Sequence, residues 1–360
     1  MRRARLGSTD LEISTLVYGS MGRSRQDETT RARVLDAAIE AGMTSIDTAP
    51  LYDFGEVESF LGRALAGRRD RVELLSKVGL RWDDEHGEIL FSFEQAGTRR
   101  HVRRDSRPTS IRRDVEESLT RLRTDRLDLC QIHHPDRRIP LDDALGELAR
   151  LREEGKIRAL GVSNVEAHEL ATALAFFEAA PAGSVLASLQ LHASLLERRA
   201  DEALLPAATA ADLGVLAYTP LEGGALSSRF VTDARWRAQR AAEADPLFAT
   251  ANARAIGRAI ETCLAPVARD AAVPESAVAL AWLLARPGIT APIVGASSEA
   301  QVAANAAAWD VVLPPASFEA IGAGFAALEL EREPAVSLAG RLRHRVRRLR
   351  ERIARLRGGR

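Results

Sequence analysis

Residues 127–164 read LDLCQIHHPDRRIPLDDALGELARLREEGKIRALGVSN and contain the pattern that decides the fold. Two short apolar runs, at 127–133 and 157–164, enclose an amphipathic stretch at 141–154. Short apolar runs of this kind are typical of buried strands, and strands separated by one helix are typical of parallel sheets. The stretch therefore predicts one strand–helix–strand unit.

The same alternation continues without a break on both sides of this unit. Apolar or β-branched runs predict strands near 11–19, 44–47, 72–77, 186–190, 214–218 and 290–295. Amphipathic patterns predict helices near 29–41, 57–66, 109–123, 165–178, 198–212, 252–271 and 299–307. Eight strand–helix units in a chain of this length predict an α/β fold, the single-domain (β/α)8 TIM barrel.

A doubly wound parallel sheet is the main alternative for such an alternation. That fold usually has a glycine-rich turn of the form GxGxxG after its first strand. The corresponding turn, Gly19-Ser20-Met21-Gly22, does not fit that form. The barrel is therefore preferred, with residues 1–330 as its domain, 331–340 as a linker and 341–360 as an Arg-rich amphipathic tail.

Two loops exceed the ordinary length of a connection between a strand and a helix, 81–107 and 222–250. Both follow predicted strands, so in a barrel both lie on the face that carries the active site. Trp82, Phe91 and Phe93 in the first loop are candidates to line a substrate pocket. Packing within the loop is the alternative for these three aromatic residues.

Composition excludes several classes of protein. Hydrophobic residues make up 46% and charged residues 28% of the 360-residue chain, which excludes a mostly disordered protein. No apolar run approaches the roughly 20 residues of a membrane-spanning helix, and no apolar segment follows the basic first residues as in a secretory signal. Cys130 and Cys263 lie in apolar stretches without zinc-ligand spacing. We therefore expect reduced cysteines, no metal site and a cytoplasmic protein.

Charge is distributed unevenly, although the formal net charge is zero. Residues 341–360 hold ten Arg and one Glu, a charge of +9, so residues 1–340 carry −9. An acidic body argues against nucleic acid as the partner. Apolar residues recur in the tail at spacings of four and three, which predicts a narrow amphipathic helix. A solvated extension, a self-association helix and a helix on a membrane surface stay open for this tail.

Three ionisable residues end predicted strands on the same face of the barrel. Asp47, Lys77 and His133 each close an apolar run, and Tyr52 follows five residues after Asp47. Lys77 is one of only two lysines among 50 basic residues, which suggests a role that arginine could not fill. A buried structural ion pair between Asp47 and Lys77 is the alternative.

This set of side chains suits proton transfer to or from a carbonyl. A tyrosine hydroxyl has an ordinary pKa of about 10, and a nearby ammonium group lowers it. A carboxylate keeps that ammonium charged and in place, while an imidazole can orient a substrate carbonyl. With hydride supplied by a cofactor, the four residues would reduce a carbonyl or oxidise an alcohol.

The sequence around these residues resembles the aldo-keto reductases. Asp47-Thr48-Ala49-Pro50-Leu51-Tyr52, followed by Gly55 and Glu58, is similar to the Asp-Thr-Ala-x-x-Tyr-Gly segment of that family. Further similar segments follow in the family's order: Ser76-Lys77, Asp128 to His133, Gly161-Val162-Ser163-Asn164, Ala217 to Leu221 and Ile293 to Ser298. The resemblance covers about residues 5–325. Gly79-Leu80-Arg81-Trp82 looks most like bacterial members of the group that includes potassium-channel β subunits and general-stress reductases.

The resemblance implies a catalytic role for each member of the tetrad. Tyr52 would donate the proton, Lys77 would lower the pKa of Tyr52, Asp47 would pair with Lys77, and His133 would orient the carbonyl. His134 receives no catalytic role. The implied activity is the NAD(P)H-dependent reduction of aldehydes and ketones to alcohols by hydride transfer.

The resemblance also implies a cofactor site at the carboxyl ends of the later strands. The nicotinamide would meet its amide and aromatic contacts at Ser163, Asn164, Gln190 and Tyr218. The pyrophosphate would lie on the loop of Thr219, Pro220, Leu221 and Gly223, and the adenosine end would contact Gly295, Ser297, Gln301 and Asn305.

Two departures from the family pattern bear on the cofactor and its surroundings. Many relatives have a cation near Ser297 or Gln301 to pair with the 2′-phosphate of NADP, and this chain has none at those two positions. The cofactor that members of this family usually bind favours NADP, and NAD is the alternative. After Gln190, the segment Leu191-His192-Ala193-Ser194 replaces the more usual Glu-Tyr-Asn/Ser.

Two functional alternatives remain from the sequence. The first is an NAD-dependent aldose or alcohol dehydrogenase, favoured by the missing cation. The second is a non-catalytic NADP(H)-binding sensor or partner subunit, which the intact tetrad disfavours.

Overall fold

The computed structural model describes residues 2–22, 26–95, 98–180, 185–242 and 245–331. The strands within these ranges are, in chain order, β1 (Arg3–Arg5), β2 (Glu12–Ser14), β3 (Val17–Gly19), β4 (Ser45–Asp47), β5 (Glu73–Val78), β6 (Leu80–Arg81), β7 (Glu88–Gln95), β8 (Thr98–Arg104), β9 (Leu127–Ile132), β10 (Ile157–Ser163), β11 (Leu186–His192), β12 (Gly214–Tyr218) and β13 (Ala291–Val294).

Eight of these strands close into a parallel barrel. The order is β3-β4-β5-β9-β10-β11-β12-β13, and β13 pairs with β3 to complete the ring. Each barrel strand pairs with the one that precedes it in the barrel and the one that follows, as repeated strand–helix units require. The predicted (β/α)8 barrel is confirmed.

Helices follow the barrel strands and cover the outside of the ring. They are α1 (Glu28–Glu40), α2 (Glu56–Ala64), α3 (Pro108–Leu122), α4 (Leu141–Glu153), α5 (Ala167–Ala179), α6 (Leu204–Ala210), α7 (Ser228–Thr232), α8 (Ala234–Ala242), α9 (Thr250–Ala259), α10 (Ala265–Asp270), α11 (Glu275–Leu284), α12 (Glu299–Ala306) and α13 (Pro315–Ala326). Sequence signals set several of their starts: the Asp27 side chain caps α1, Ser298 caps α12, and a proline opens α3 and α13.

The N-terminal hairpin of β1 and β2 closes the bottom of the barrel. Leu6, Leu11 and Ile13 share one buried cluster with inward-facing residues of the barrel strands. Gly7, with φ of +58°, lies so close to the starts of β11 and β12 that a Cβ there would be 2.6 Å from the Asp212 carbonyl oxygen. The amino end of the barrel is therefore covered by a plug. Functional groups then gather at the opposite, carboxyl end.

The predicted strand near 11–19 is wrong as a single element. It divides into β2, which pairs antiparallel with β1, and β3, which enters the barrel. The apolar pattern continues through both because the plug buries Ile13 of β2 and the barrel buries both faces of β3.

The two predicted long loops contain secondary structure. Residues 81–107 include most of an antiparallel sheet in the order β6-β8-β7, where a plain loop was expected. The region 222–250 contains α7 and α8. Both segments leave carboxyl ends of barrel strands, as predicted.

Three further differences concern helices. The predicted helix 198–212 is a short 3-10 turn, Arg199–Asp201, followed by α6. The predicted helix 252–271 is interrupted by a π-helical turn, Ile260–Leu264, next to Pro266. The helices α11 and α13 had no counterpart in the sequence analysis, because both are rich in alanine and lack a clear polar face.

None of the helices in the described ranges is both long and apolar enough to span a bilayer. The same ranges contain no group of three His, Cys, Asp or Glu side chains arranged to hold a metal ion. The predicted linker beyond Glu331 and the basic tail 341–360 lie outside the described residues.

Candidate active site

The carboxyl ends of three adjacent barrel strands bring the ionisable residues together. Asp47 is the last residue of β4, Lys77 is the penultimate residue of β5, and His133 directly follows β9. The strands β4, β5 and β9 are neighbours, and the Cα of Lys77 pairs with that of Gln131 on β9. The residues that the sequence placed on one face therefore lie next to one another.

Lys77 and Asp47 form a buried ion pair. The Nζ atom of Lys77 lies 2.8 Å from Oδ1 and 2.7 Å from Oδ2 of Asp47, and it donates a further bond of 3.0 Å to the Thr48 carbonyl. Lys77 is 1% exposed and Asp47 is 3% exposed. Burial lowers the pKa of Lys77 below its ordinary value of 10.5, although the charge of Asp47 and its hydrogen bond act in the other direction.

A tight turn after β4 places the Tyr52 hydroxyl within hydrogen-bond distance of both Lys77 and Asp47. The 3-10 turn Tyr52–Gly55 contains two residues with left-handed backbone, Asp53 (φ 49°) and Phe54 (φ 56°). The hydroxyl oxygen lies 3.1 Å from Lys77 Nζ and 3.4 Å from Asp47 Oδ1. Residues in this conformation are strained and concentrate at functional sites.

His133 borders the same centre and is buried. Its ring meets the Tyr52 ring edge-on, with 6.2 Å between centroids. Burial, and then the positive charge of Lys77, holds the pKa of His133 well below 6.5, so the imidazole is neutral at neutral pH. A neutral imidazole can donate one hydrogen bond to a carbonyl oxygen without adding a charge.

His134 stacks behind His133, with 5.5 Å between ring centroids. Burial and the charge of Arg104 lower the pKa of His134 to about 3. The sequence predicts no catalytic role for His134.

The four residues form a centre that can move one proton. A phenol beside an ammonium group loses its proton more easily than an isolated phenol, because the ammonium stabilises the phenolate. The carboxylate of Asp47 offsets part of the cost of burying that ammonium.

Side chains at the ends of β10 to β12 extend this centre. Gln190 on β11 donates from Nε2 to Asp47 Oδ2 at 2.8 Å. Asn164 has left-handed backbone (φ 57°), and its Nδ2 donates to the His133 carbonyl and to Ser163 Oγ, both at 2.9 Å. The Tyr218 hydroxyl donates to Asn164 Oδ1 at 2.7 Å. The predicted nicotinamide contacts are therefore connected to the tetrad through protein hydrogen bonds.

The loop after β12 has an unusual backbone. Thr219 (φ 56°), Glu222 (φ 48°) and Gly223 (φ 63°) all have left-handed conformations. The N–H of Glu222 donates to the Thr219 carbonyl at 3.0 Å, so the loop turns tightly back on itself. Pro220 and Leu221 lie within this turn.

The predicted adenosine contacts lie at the start of α12. Gln301 Oε1 accepts from the backbone N–H of Ser297 at 2.7 Å and from its hydroxyl at 2.9 Å. Asn305 Nδ2 donates to the Gly295 carbonyl at 3.4 Å. The four residues predicted for this end of the cofactor therefore lie where β13 joins α12, with Gly295 and Ser297 in the loop and Gln301 and Asn305 on the helix.

The three aromatic residues predicted to line a substrate pocket form a packed cluster. Phe91 and Phe93 of β7 are buried, and Trp82 is half-buried. Phe54 stacks on Phe93 at 4.9 Å and meets Trp82 edge-on at 5.5 Å. The cluster ties the antiparallel sheet to the turn that carries Tyr52.

Sequence reasoning missed the contact between the partly buried His192 and Glu222, a buried residue within the predicted cofactor loop. Glu222 accepts hydrogen bonds from His192 Nε2 at 2.6 Å and from Ser194 Oγ at 2.7 Å. The replacement of the usual family residues after Gln190 drew attention to the segment that contains His192. Glu222 carried no such signal, because its partner comes from another strand.

Comparisons with known proteins assign the chain to a family. A model of the aldo/keto reductase family matches residues 15–323. The aldo-keto reductase YhdN of Bacillus subtilis is 33% identical over 296 residues, which is 81% of this chain and 82% of that protein. The NADH-specific methylglyoxal reductase of Escherichia coli is 31% identical over 328 residues, with coverage of 88% and 96%.

A solved structure is similar over nearly the whole chain. The glycerol dehydrogenase of Gluconobacter oxydans matches with a TM-score of 0.77 and 30% identity, covering 93% of this chain and 99% of that structure. The chain belongs to the aldo/keto reductase family of NAD(P)H-dependent oxidoreductases.

Proposed function

We propose that the chain reduces aldehydes or ketones to alcohols with NAD(P)H, and that Tyr52 donates the proton. The observation that carries this proposal is the position of the Tyr52 hydroxyl, 3.1 Å from the buried Nζ of Lys77. No simple structural role requires a phenol at hydrogen-bond distance from a buried ammonium that Asp47 already pairs.

Each neighbour of Tyr52 has a separate task in this mechanism. Lys77 stabilises the phenolate that remains when Tyr52 releases its proton to the carbonyl oxygen. Asp47 keeps Lys77 charged and in position. His133, neutral and adjacent to Tyr52, donates a hydrogen bond to the same carbonyl oxygen and so fixes its direction.

The polar groups at the ends of β10 to β13 fit a nicotinamide dinucleotide. Ser163, Asn164 and Gln190 supply amide and hydroxyl groups suited to a carboxamide, and Tyr218 supplies a half-buried aromatic face. The tight loop 219–223 and the start of α12 supply backbone N–H groups suited to phosphates. When bound, the cofactor would provide the hydride, and the residues above would hold its ring beside Tyr52.

Small carbonyl compounds are the substrate class typical of the family. We propose that the first long loop and the region 222–250 select among them, because both segments leave the face of the barrel that carries Tyr52. Trp82 is the half-buried member of the aromatic cluster, and it is the cluster residue that we place nearest to the substrate.

An NAD-dependent aldose or alcohol dehydrogenase is the second candidate. It is favoured by the contacts at the start of α12, where Gln301 Oε1 accepts hydrogen bonds from the backbone N–H and the hydroxyl of Ser297. A 2′-phosphate bound at Ser297 would have to displace Gln301 and would gain no cation at either position. Two relatives point in the same direction by name, as an NADH-specific reductase and a glycerol dehydrogenase.

Cofactor titration followed by single turnover tests the proposal. NADPH and NADH are titrated separately against tryptophan fluorescence, and 4-nitrobenzaldehyde is then added to the better-bound cofactor. We expect oxidation of the bound cofactor by wild-type protein, and intact binding with a rate lowered by a factor of about 100 or more in Tyr52→Phe. A Tyr52→Phe variant of full activity would refute the role of Tyr52.

The same experiment separates the remaining alternatives. Preference for NADH, with faster oxidation of polyols or aldoses than reduction of aldehydes, would favour the dehydrogenase. Tight cofactor binding without turnover on any carbonyl or alcohol would favour the sensor or partner subunit. Binding of neither cofactor would refute all three.

A further inference from the structure

His192, the last residue of β11, lies against the ring that we propose for nicotinamide stacking. Its Cα pairs with that of Tyr218 across the β11–β12 ladder. The two rings are stacked, with centroids 5.2 Å apart and planes inclined by 11°. One face of Tyr218 is thus covered by protein. The other face is the one that we assign to the cofactor.

The same imidazole contacts a buried carboxylate in the proposed pyrophosphate loop. Glu222 is 4% exposed, and its Oε1 lies 2.6 Å from His192 Nε2 and 2.7 Å from Ser194 Oγ. A carboxylate only accepts hydrogen bonds, so His192 Nε2 carries the proton and donates. Both donors lie on the β11 side of the loop.

A second carboxylate faces the other nitrogen of His192. Glu197 Oε2 lies 4.0 Å from His192 Nδ1, and Arg199 pairs with Glu197 at 2.8 Å. Burial opposes ionisation of Glu197, but hydrogen bonds from Arg199 outweigh it and lower the pKa of Glu197 to about 2. Arg199 therefore compensates Glu197, and its charge also attracts Glu222. His192 and Ser194 donate to Glu222.

Glu222 creates an electrostatic difficulty for an anionic cofactor. The loop 219–223 turns back on itself, and a pyrophosphate bound to its backbone would lie near this carboxylate. Like charges at short distance inside a protein repel strongly, and a buried carboxylate without donors is itself unfavourable. Hydrogen bonds from the β11 side would hold the carboxylate toward β11 and so reduce its repulsion of a phosphate.

We propose that His192 is a positioning residue for the cofactor, with two separable actions. Its ring supports Tyr218 from behind, and its Nε2–H holds the Glu222 carboxylate toward β11, so that the loop can accept a pyrophosphate. The inference rests on the proposed function, because it requires that a nicotinamide dinucleotide bind at this loop.

Two substitutions separate the two actions. His192→Phe keeps a ring behind Tyr218 but leaves Glu222 without the imidazole donor. His192→Gln keeps an N–H donor toward Glu222 but removes the ring. Each variant is titrated with the better-bound reduced cofactor and with ADP-ribose, which has the pyrophosphate but no nicotinamide. If the protein prefers NADPH, the 2′-phosphate of ADP-ribose replaces ADP-ribose.

We expect His192→Phe to lower the affinity for the dinucleotide and the affinity for ADP-ribose alike, each by about tenfold. His192→Gln should lower the affinity for the dinucleotide, whereas its affinity for ADP-ribose should stay within about twofold of that of the wild type. The double variant His192→Phe/Glu222→Gln should recover the ADP-ribose affinity, because the negative charge beside the phosphate is gone. Thr15→Val is the matched control: it removes a 2.8 Å hydrogen bond from Trp309 Nε1 and should change no affinity.

Circular dichroism and melting temperature establish that each variant is folded. The inference is overturned if wild type binds cofactor while His192→Phe and His192→Gln both bind it as tightly. It is also overturned if Glu222→Gln gives no recovery in the His192→Phe background. A wild-type protein that binds neither cofactor nor ADP-ribose would instead refute the proposed function on which the inference rests.

Discussion

The side-chain amide of Gln190 donates a 2.8 Å hydrogen bond to the Asp47 carboxylate, from a position 143 residues away in the chain. Lys77, Gln190 and the Tyr52 hydroxyl thus all donate to the same buried carboxylate. This bond connects the residues that we propose for proton transfer with those that we propose for the nicotinamide. A change at Gln190 should therefore affect both.

We expect Gln190→Leu to lower turnover and cofactor affinity together, each by about tenfold, because a buried carboxylate loses one of its donors. Steady-state kinetics and fluorescence titration measure the two effects. Gln131→Leu is a matched control, since Gln131 is also buried in the barrel but its Nε2 donates to Ser188 Oγ. Loss of turnover in Gln131→Leu equal to that in Gln190→Leu would contradict a specific role for the bond to Asp47.

The pH dependence of carbonyl reduction should report on Lys77. Because burial lowers its pKa below 10.5, we expect kcat/KM to fall on the alkaline side below that pH, as Lys77 and Tyr52 lose protons. Lys77→Arg keeps a charge that does not titrate in this range, so the contribution of Lys77 to that alkaline fall should be absent from any residual activity. Its rate should be lower by a factor of about 100 or more, since a guanidinium does not fit the space of an ammonium.

Lys77→Met provides the matched uncharged variant. It should be at least as inactive as Lys77→Arg while both still bind cofactor. An alkaline fall that persists unchanged in Lys77→Arg would assign the titration to another group.

Cofactor choice should respond to Gln301. The Oε1 of Gln301 now accepts from the Ser297 backbone N–H and hydroxyl, and Gln301→Arg would release both donors and add a cation. We expect the ratio of NADPH to NADH affinity to rise by about tenfold. Gln301→Leu releases the donors without adding charge and should give a smaller rise. An unchanged ratio in Gln301→Arg would mean that the 2′ position of the cofactor does not lie at this loop.

Stability in mild acid should depend on His134. Its pKa is lowered to about 3 in the folded protein by burial and by Arg104, whereas an unfolded histidine titrates near 6.5. As the pH falls from 6.5 toward 3, the unfolded chain gains this proton first. The free energy of unfolding should therefore decrease, by up to about 1.4 kcal/mol per pH unit from this group.

Urea unfolding at several pH values between 7 and about 5 measures this slope. Asp114, whose pKa burial raises to about 6, acts in the opposite sense, so the comparison is made between variants. His134→Phe should lose stability less steeply than wild type, and His168→Phe, at an exposed helix position, should not differ from it. Equal slopes in His134→Phe and wild type would contradict a buried neutral His134.

The barrel and the proton-transfer centre could be predicted because their signals are local. Each barrel strand is buried on both faces, so it appears as a short apolar run. An ionisable residue at the end of such a run is unusual enough to be noticed, as at Asp47, Lys77 and His133. Parallel strands then guarantee that these ends share one face.

Elements without a local signal were missed. Helix α11 is buried over most of its length, so it lacks the polar face by which a surface helix is recognised. The strands β7 and β8 carry many charges, and only their pairing with each other and the packing of Phe91 and Phe93 identify them as a sheet. The division of 11–19 depends on where β1 pairs, which the apolar pattern does not contain.

For this protein, the order of residues along the chain was enough to predict the (β/α)8 barrel and the four residues, Asp47, Tyr52, Lys77 and His133, that meet at its carboxyl face. The tertiary structure alone decided that Gln190 bonds to Asp47 and that His192 holds Glu222. The physical reason is range. The burial of a strand and the residue at its end can be recognised from residues that are adjacent in the sequence. A hydrogen bond between side chains of different strands depends instead on strand register and side-chain direction, which are fixed only when the barrel closes.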